Sequence, residues 1–304
     1  MARALERRVW WLKRTAQVAA SMPAGGSEAV QVAAAAVLRP GADWVLPNGR
    51  DLALCLALGV SPLDVMLSVL GRAGDPTSGG RLAPVSFSSR RARIVGAPSV
   101  TAAQLSQAAG IAYASRARGL DEVTLVSLAG AAVSAGDWHE GINFAAVHRL
   151  PLICLVQSEV EASSGPLEQP GEDWLVRRAK GYGVVAGVID GADFNDALQS
   201  LSQALQRARS GGGPTILHAR IPELSSRTSL GAFRAREQLE AGARHDPIES
   251  MRRRLESLQL LDHKTDGHIQ RDCQAVAEAA VEQALAADSP KPAAALDNVL
   301  EGFH

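Results

Sequence analysis

Cysteine is scarce in this chain of 304 residues, and the three present, Cys55, Cys154 and Cys273, are odd in number, far apart and in apolar surroundings. That excludes a disulfide framework and a cysteine-based zinc site, and it fits a reducing, cytoplasmic compartment. A charge excess is also missing: 31 Lys and Arg stand against 32 Asp and Glu, a formal net charge of −1. Nothing in that balance calls for nucleic acid or an acidic membrane as a partner. No stretch approaches the ~20 apolar residues of a membrane span. The basic N-terminus, MARALERRVWWLKR, has its apolar runs broken by Arg7, Arg8, Lys13 and Arg14, so no signal-peptide core forms; an organellar transit peptide is the alternative. Two motifs are absent as well. There is no Gly-x-Gly-x-x-Gly or Walker string to mark a nucleotide site, and no Gly-x-Ser-x-Gly elbow to mark a hydrolase.

At 46% hydrophobic residues the chain has material for a large core. Its organising stretch is Val123 to Pro166. A strand over Val123–Leu128 leads through a small-residue turn to a helix from Asp137 to Arg149, then past Pro151 to a second strand, Leu152–Val156. This is a βαβ unit. In open parallel sheets ligands sit beyond the carboxyl ends of strands, which here means the loops Ala129–Gly136 and Gln157–Glu161. Upstream, Leu5, Val9, Leu12 and Ala16 mark one face of a helix, and Ser27 caps a nearly all-apolar helix to Leu38. Asp43–Leu46 is extended, Pro47–Asp51 opens a helix through Ala57, Ser61-Pro62 starts another to about Leu70, and Thr101–Arg116 is a helix. Downstream come a helix over Asp173–Gly181, a strand over Val184–Val188, a helix capped by Asp193 and running to Arg209, and a strand over Pro214–Ala219. Helices over Pro247–Leu261 and Ile269–Ala287 follow. Strand and helix alternate from about residue 120 to 220, the pattern of an α/β doubly wound parallel sheet flanked by helices. We divide the chain into a helical arm at 1–22, an α/β core at 27–222 and a helical segment at 246–304, all one domain.

Within the central unit, Asp137 and Glu140 have the spacing of a capping box, a helix-start device that needs no ligand. His139 and His148 are nine apart on one helix and do not share a face as a metal pair would. The small-residue turn before Asp137 suits a phosphate held by backbone N–H groups, and equally suits tight packing alone. Arg90, Arg91 and Arg93 are either an anion clamp or a solvated charge run. The Gly-, Ser- and Pro-rich segment 71–98 is either functional or a plain insertion.

Several short strings then carry a resemblance: Gly26-Ser27-Glu28-Ala29, Asp43–Pro47 with Arg50-Asp51, Gly79-Gly80-Arg81, Phe87-Ser88-Ser89, Gln104-Leu105, Gly110-Ile111-Ala112, Asp137–Pro151 and Asp246-Pro247-Ile248. In this order and spacing they resemble the alpha subunit of thiamine-diphosphate-dependent 2-oxo acid dehydrogenases, over nearly the whole chain. The resemblance implies the thiamine-diphosphate-binding fold, thiamine diphosphate with Mg²⁺ as cofactors, a beta-type subunit as partner in a heterotetramer, and a lipoyl acyltransferase as acceptor of the acyl group. It also implies a Gly-Asp-Gly…Asn-Asn motif, and the chain departs from it: Ala129-Gly130-Ala131 and Ser158-Glu159 stand there. The tyrosine expected before Arg50 is Gly49. The histidine expected between Pro84 and Phe87 is missing, and so is the catalytic-loop histidine, where Leu224 precedes Ser225-Ser226-Arg227-Thr228. Carried over, the cofactor positions are Arg50, Thr101, Gly130, Ala131, Ala132, Glu159 and Glu161, with Glu159 as the metal ligand and no catalytic residue. A hard cation wants carboxylate or carbonyl oxygens, and losing even an outer partner of a metal costs about 10–100-fold in affinity. The expectation is therefore an alpha-type subunit that is catalytically impaired; the alternatives are an active enzyme with a rebuilt site and a non-enzymatic scaffold or regulatory partner.

Overall fold

The computed structural model describes residues 1–18, 25–82, 86–96, 102–159, 173–222, 224 and 244–296. Five parallel strands form one sheet in the order β1-β2-β3-β5-β4: β1 Trp44–Leu46, β2 Thr124–Ala129, β3 Leu152–Glu159, β4 Val185–Asp190 and β5 Thr215–Ile221. Around it lie α1 Ala2–Arg14, α2 Glu28–Val37, α3 Leu52–Ala57, α4 Pro62–Val69, α5 Ala103–Ala117, α6 Gly136–Val147, α7 Trp174–Gly181, α8 Phe194–Arg209, α9 Pro247–Ser257 and α10 His263–Ala286.

The middle strands read as unbroken apolar runs because helices cover both of their faces. On one face Leu125, Ile153, Leu155 and Leu217 join a core built from α1 to α4, α8 and α10. On the other face Val126, Cys154, Val156 and Ile216 join a core built from α5, α6 and α7. This is the doubly wound arrangement that the alternation implies. The N-terminal helix is part of it: Leu5, Val9 and Leu12 are fully buried in the first core. Burying three such side chains contributes about 1.5–3 kcal/mol each. Arg3 pins that helix further, donating to Glu28 at 2.7 Å and to Asp246 at 2.8 Å. Among the described residues no helix is long and apolar enough to cross a membrane.

Most predicted elements are present, with corrections that have physical causes. Ser27 makes no side-chain cap; the Glu28 carboxylate instead accepts from the Gly26 N–H at 2.7 Å. The capping box at Asp137 does not form. The helix begins one residue earlier at Gly136, Ala135 is its cap residue, and no side chain caps it. It ends at Val147, and Arg149 takes a left-handed φ of 45° on the way to β3. The turn before it winds into a 3₁₀ helix, Gly130–Ser134. Strand β3 runs to Glu159, so Gln157, Ser158 and Glu159 are strand rather than loop. Asp173, Asp193 and Asp246 cap their helices as expected. Helix α9 stops at Ser257, and α10 starts at His263, capped by Asp262. Within 71–98, Asp75 ties a turn by accepting from Thr77 N, Ser78 N and the Ser78 hydroxyl. Ile94 then bridges to Val45 and Ser89, which extends the sheet edge beside β1.

Candidate functional site

The carboxyl ends of β1, β2 and β3 converge on a buried polar network. Asp51, which follows β1, is the centre. Its carboxylate accepts from Gln31 Nε2 at 3.1 Å, from Gln157 Nε2 at 2.7 Å and from the Asn48 N–H at 2.7 Å. Gln157 Nε2 also donates to the Ser127 hydroxyl at 2.7 Å, and Gln31 Oε1 accepts from the Ala53 N–H at 3.0 Å. Gln31, Asp51, Ser127 and Gln157 are all buried. Burial pushes the Asp51 carboxyl above its ordinary value, while its bonds to Ser127, Asn48 and Gln157 pull the other way. A buried network with its members bonded to one another fixes the loop 47–51 in place.

Arg50 projects from that loop, and its guanidinium reaches Glu159 at the end of β3 at 3.4 Å. The Arg50 side chain is 39% exposed and that of Glu159 is 11% exposed. Gly130 stands beside Ser158, its cross-strand neighbour. A Cβ on Gly130 would lie 2.2 Å from the Ser158 hydroxyl oxygen and 3.1 Å from its Cβ. That oxygen is buried and has no hydrogen-bond partner among the described residues. Ala131 is exposed and Ala132 buried in the 3₁₀ turn. The structure thus brings together Arg50, Gly130, Ala131, Ala132 and Glu159, while Thr101 and Glu161 lie outside the described residues, as do Pro84 and the string 225–228.

A divalent cation does not fit this set. Gly130 offers no oxygen from a side chain, the Ser158 hydroxyl stands where such a side chain would start, and the Glu159 carboxylate faces a guanidinium. Among the described residues no group of three or more His, Cys, Asp or Glu side chains is placed to hold a metal. The small residues of the turn are explained by packing against Ser158. Of the arginine cluster, Arg93 is structural: it lies over the Trp44 ring at 4.9 Å, donates to the Ala42 carbonyl at 2.7 Å and pairs with Glu122. Arg90 and Arg91 are exposed. His139 bonds the Tyr182 hydroxyl, and His148 packs on Phe144 and Tyr113.

Two features escaped the sequence. Gln31 and Gln157 show in it only as lone polar residues inside or beside apolar runs, and no local pattern says that they meet. The other is His218 on β5, whose Nδ1 lies 2.8 Å from the Asp173 carboxylate, both side chains nearly fully buried. Arg220 reaches the same carboxylate oxygen at 3.1 Å, and Asp173 Oδ1 caps α7 at Leu175 N and Val176 N. Burial alone would raise the Asp173 carboxyl; His218 and Arg220 overcome it and hold it below its ordinary value.

Residues 1–293 match the family model described as Dehydrogenase E1 component. The 2-oxoisovalerate dehydrogenase subunit alpha of Bacillus subtilis is 34% identical over 98% of this chain and 92% of its own length. The 3-methyl-2-oxobutanoate dehydrogenase subunit alpha of Mycobacterium tuberculosis is 31% identical over 85% of this chain and 68% of its own. The pyruvate dehydrogenase E1 component subunit alpha of Rhizobium meliloti is 30% identical over 76% and 67% respectively.

Proposed function

The chain belongs to the dehydrogenase E1 component family, among the alpha subunits of 2-oxo acid dehydrogenases, and from that premise we propose that it is an alpha-type subunit with an impaired cofactor site. It pairs with a beta-type chain as a heterotetramer in the cytoplasm and stands in the complex that passes an acyl group to a lipoyl acyltransferase. The observation that carries the impairment is the contact at Gly130. The position that the resemblance assigns to a metal-binding aspartate holds no side chain, and Ser158 fills the adjoining space. Glu159, the other position, is turned to Arg50. The scaffold around these residues is intact, with buried polar groups bonded to one another, so the frame of the alpha subunit is retained without the metal–diphosphate chemistry.

Two measurements on the chain co-expressed with a beta-type partner test this. Co-purification as one assembly supports the subunit role. Calorimetry with thiamine diphosphate and Mg²⁺ is expected to show no micromolar binding; such binding together with 2-oxo acid turnover overturns the impairment. One observation favours a rebuilt active site instead: Arg50 is partly exposed and its bond to Glu159 is long, so both remain open to a ligand. On that reading Glu159→Ala abolishes turnover.

A further inference from the structure

Residues alternate across β3 and β5. Val156 and Ile216 lie in the core under α5, α6 and α7, so Ser158, His218 and Arg220 belong to that same face, opposite Gln157 and Glu159. Register sets Ser158 beside Arg220 and Val156 beside His218, making Ser158 and His218 diagonal neighbours. Each presents a buried polar atom that no described residue satisfies: the Ser158 hydroxyl and His218 Nε2. His218 is 3% exposed. An unpaired buried polar group is costly, and two on one sheet face need an explanation.

We propose that Asp173, His218 and Ser158 build a second polar site on this face, in which His218 Nε2 and the Ser158 hydroxyl hydrogen-bond the carboxylate of a small organic acid. In the reading above, on which this ligand class rests, the acid is a 2-oxo acid. Asp173 is the positioning residue. Its carboxylate is already engaged by Leu175 N, Val176 N, His218 and Arg220, so it acts on a ligand only by holding the imidazole. With Nδ1–H bonded to a carboxylate, the ring orientation is fixed and Nε2 is left for a partner. The local charge selects an anion. Arg220 adjoins Asp173, and Arg178 lies over the Trp174 ring at 5.4 Å, a ring that meets His218 edge-on at 5.6 Å. Against Arg220, Arg178 and a protonated His218, Asp173 is the one carboxylate bonded to this cluster among the described residues.

The test is a titration of the full chain, labelled with ¹⁵N-histidine, with 3-methyl-2-oxobutanoate and separately with pyruvate, and with inorganic phosphate at matched ionic strength as the control. The His218 ring nitrogens are expected to shift with both oxo acids and not with phosphate. Loss of a charge-assisted bond predicts that His218→Gln weakens binding about tenfold or more. Ser158→Ala removes a hydroxyl without a partner, so it keeps the fold and weakens binding less. It serves as the second variant if His218→Gln unfolds. No shift at roughly 20 mM oxo acid, well past saturation of a millimolar complex, overturns the proposal. So does an equal response to phosphate, or unchanged binding in both variants. Failure of the chain to assemble with any beta-type partner would sink the family-based role while leaving this binding result standing, so the two failures are separable.

Discussion

Adding one methyl group at Gly130 is the most direct probe of the candidate site. The new Cβ would lie 2.2 Å from the Ser158 oxygen, 3.1 Å from its Cβ and 3.7 Å from its Cα. Ordinary carbon contacts sit at about 3.5–4.0 Å, so the first two distances are violations of different kinds. The hydroxyl can rotate away, and because it has no partner it forfeits no hydrogen bond in doing so. The Cβ–Cβ contact cannot be relieved by rotation; the strand ends must part by a few tenths of an ångström. Overpacking of this sort costs about 1–3 kcal/mol, and the free hydroxyl places the expected loss for Gly130→Ala in the lower half, about 1–2 kcal/mol. Ser158→Ala alone is expected to be neutral or slightly stabilising, since it removes an unsatisfied hydroxyl. Combined, the pair should lose less than the sum, with a coupling of about 0.5 kcal/mol or more. Urea midpoints at unchanged m-value measure all four corners. If Gly130→Ala is neutral, or its loss is the same with Ser158→Ala already in place as with Ser158 intact, the steric argument fails. The same geometry says that Gly130→Asp alone does not restore a metal site, because the new carboxylate must first displace Ser158.

Two further perturbations address the frame. Asp246 caps α9 and binds Arg3; burial alone would raise its carboxyl, but Arg3 and the helix N–H groups hold it below the ordinary value. Stability from this group is therefore full above the unfolded aspartate value of ~3.9 and is lost as pH falls through the lower folded value; Asp246→Ala should flatten that acid limb in pH-dependent urea unfolding. At pH 7 the variant loses at least a helix cap, about 0.5–2 kcal/mol. Asp43, fully buried, accepts from Arg209, Arg39 N and Val123 N, so Asp43→Ala strands a buried guanidinium and two N–H groups at a cost of about 3–5 kcal/mol. Asp121, bonded to Arg39 and Arg209 but 66% exposed, should tolerate alanine without measurable loss by the same assay.

The sequence made the strands and helices legible because their signals are local: apolar runs bounded by Gly and Pro, and Asp or Ser before helices. Asp173, Asp193 and Asp246 were readable as caps for that reason. The Asp137–Glu140 spacing misled because it competes with Ala135 and Gly136, whose small size lets the helix start a residue sooner, leaving Asp137 in the first turn. Strand β3 was cut short at Val156 because Gln157, Ser158 and Glu159 are polar. Their partners are distant: Gln157 bonds Asp51, 106 positions away, and Glu159 bonds Arg50, 109 away. No window-based reading sees such pairs. The strings shared with the alpha subunits located Arg50, Gly130 and Glu159 correctly at one end of the sheet, but only coordinates show that Ser158 fills the space at Gly130.

The end of β3 therefore serves two sites of opposite character. Residues 157 and 159 face the side where Gln31, Asp51, Ser127 and Arg50 bond to them. Residue 158 faces the side where its own hydroxyl and His218 Nε2 lack partners. Unmade bonds of this kind cost about 1–3 kcal/mol each, so the second face carries a penalty that the first does not. Replacing Ser158 by alanine and His218 by an apolar residue would remove that penalty. A chain that keeps both groups, and uses Asp173 and Arg220 to hold the imidazole, is arranged for a bond that forms only when something else is present. The loss of the metal position at Gly130 and the unfilled hydrogen bonds at Ser158 then have one origin: the serine that closes the first site is also a donor in the second.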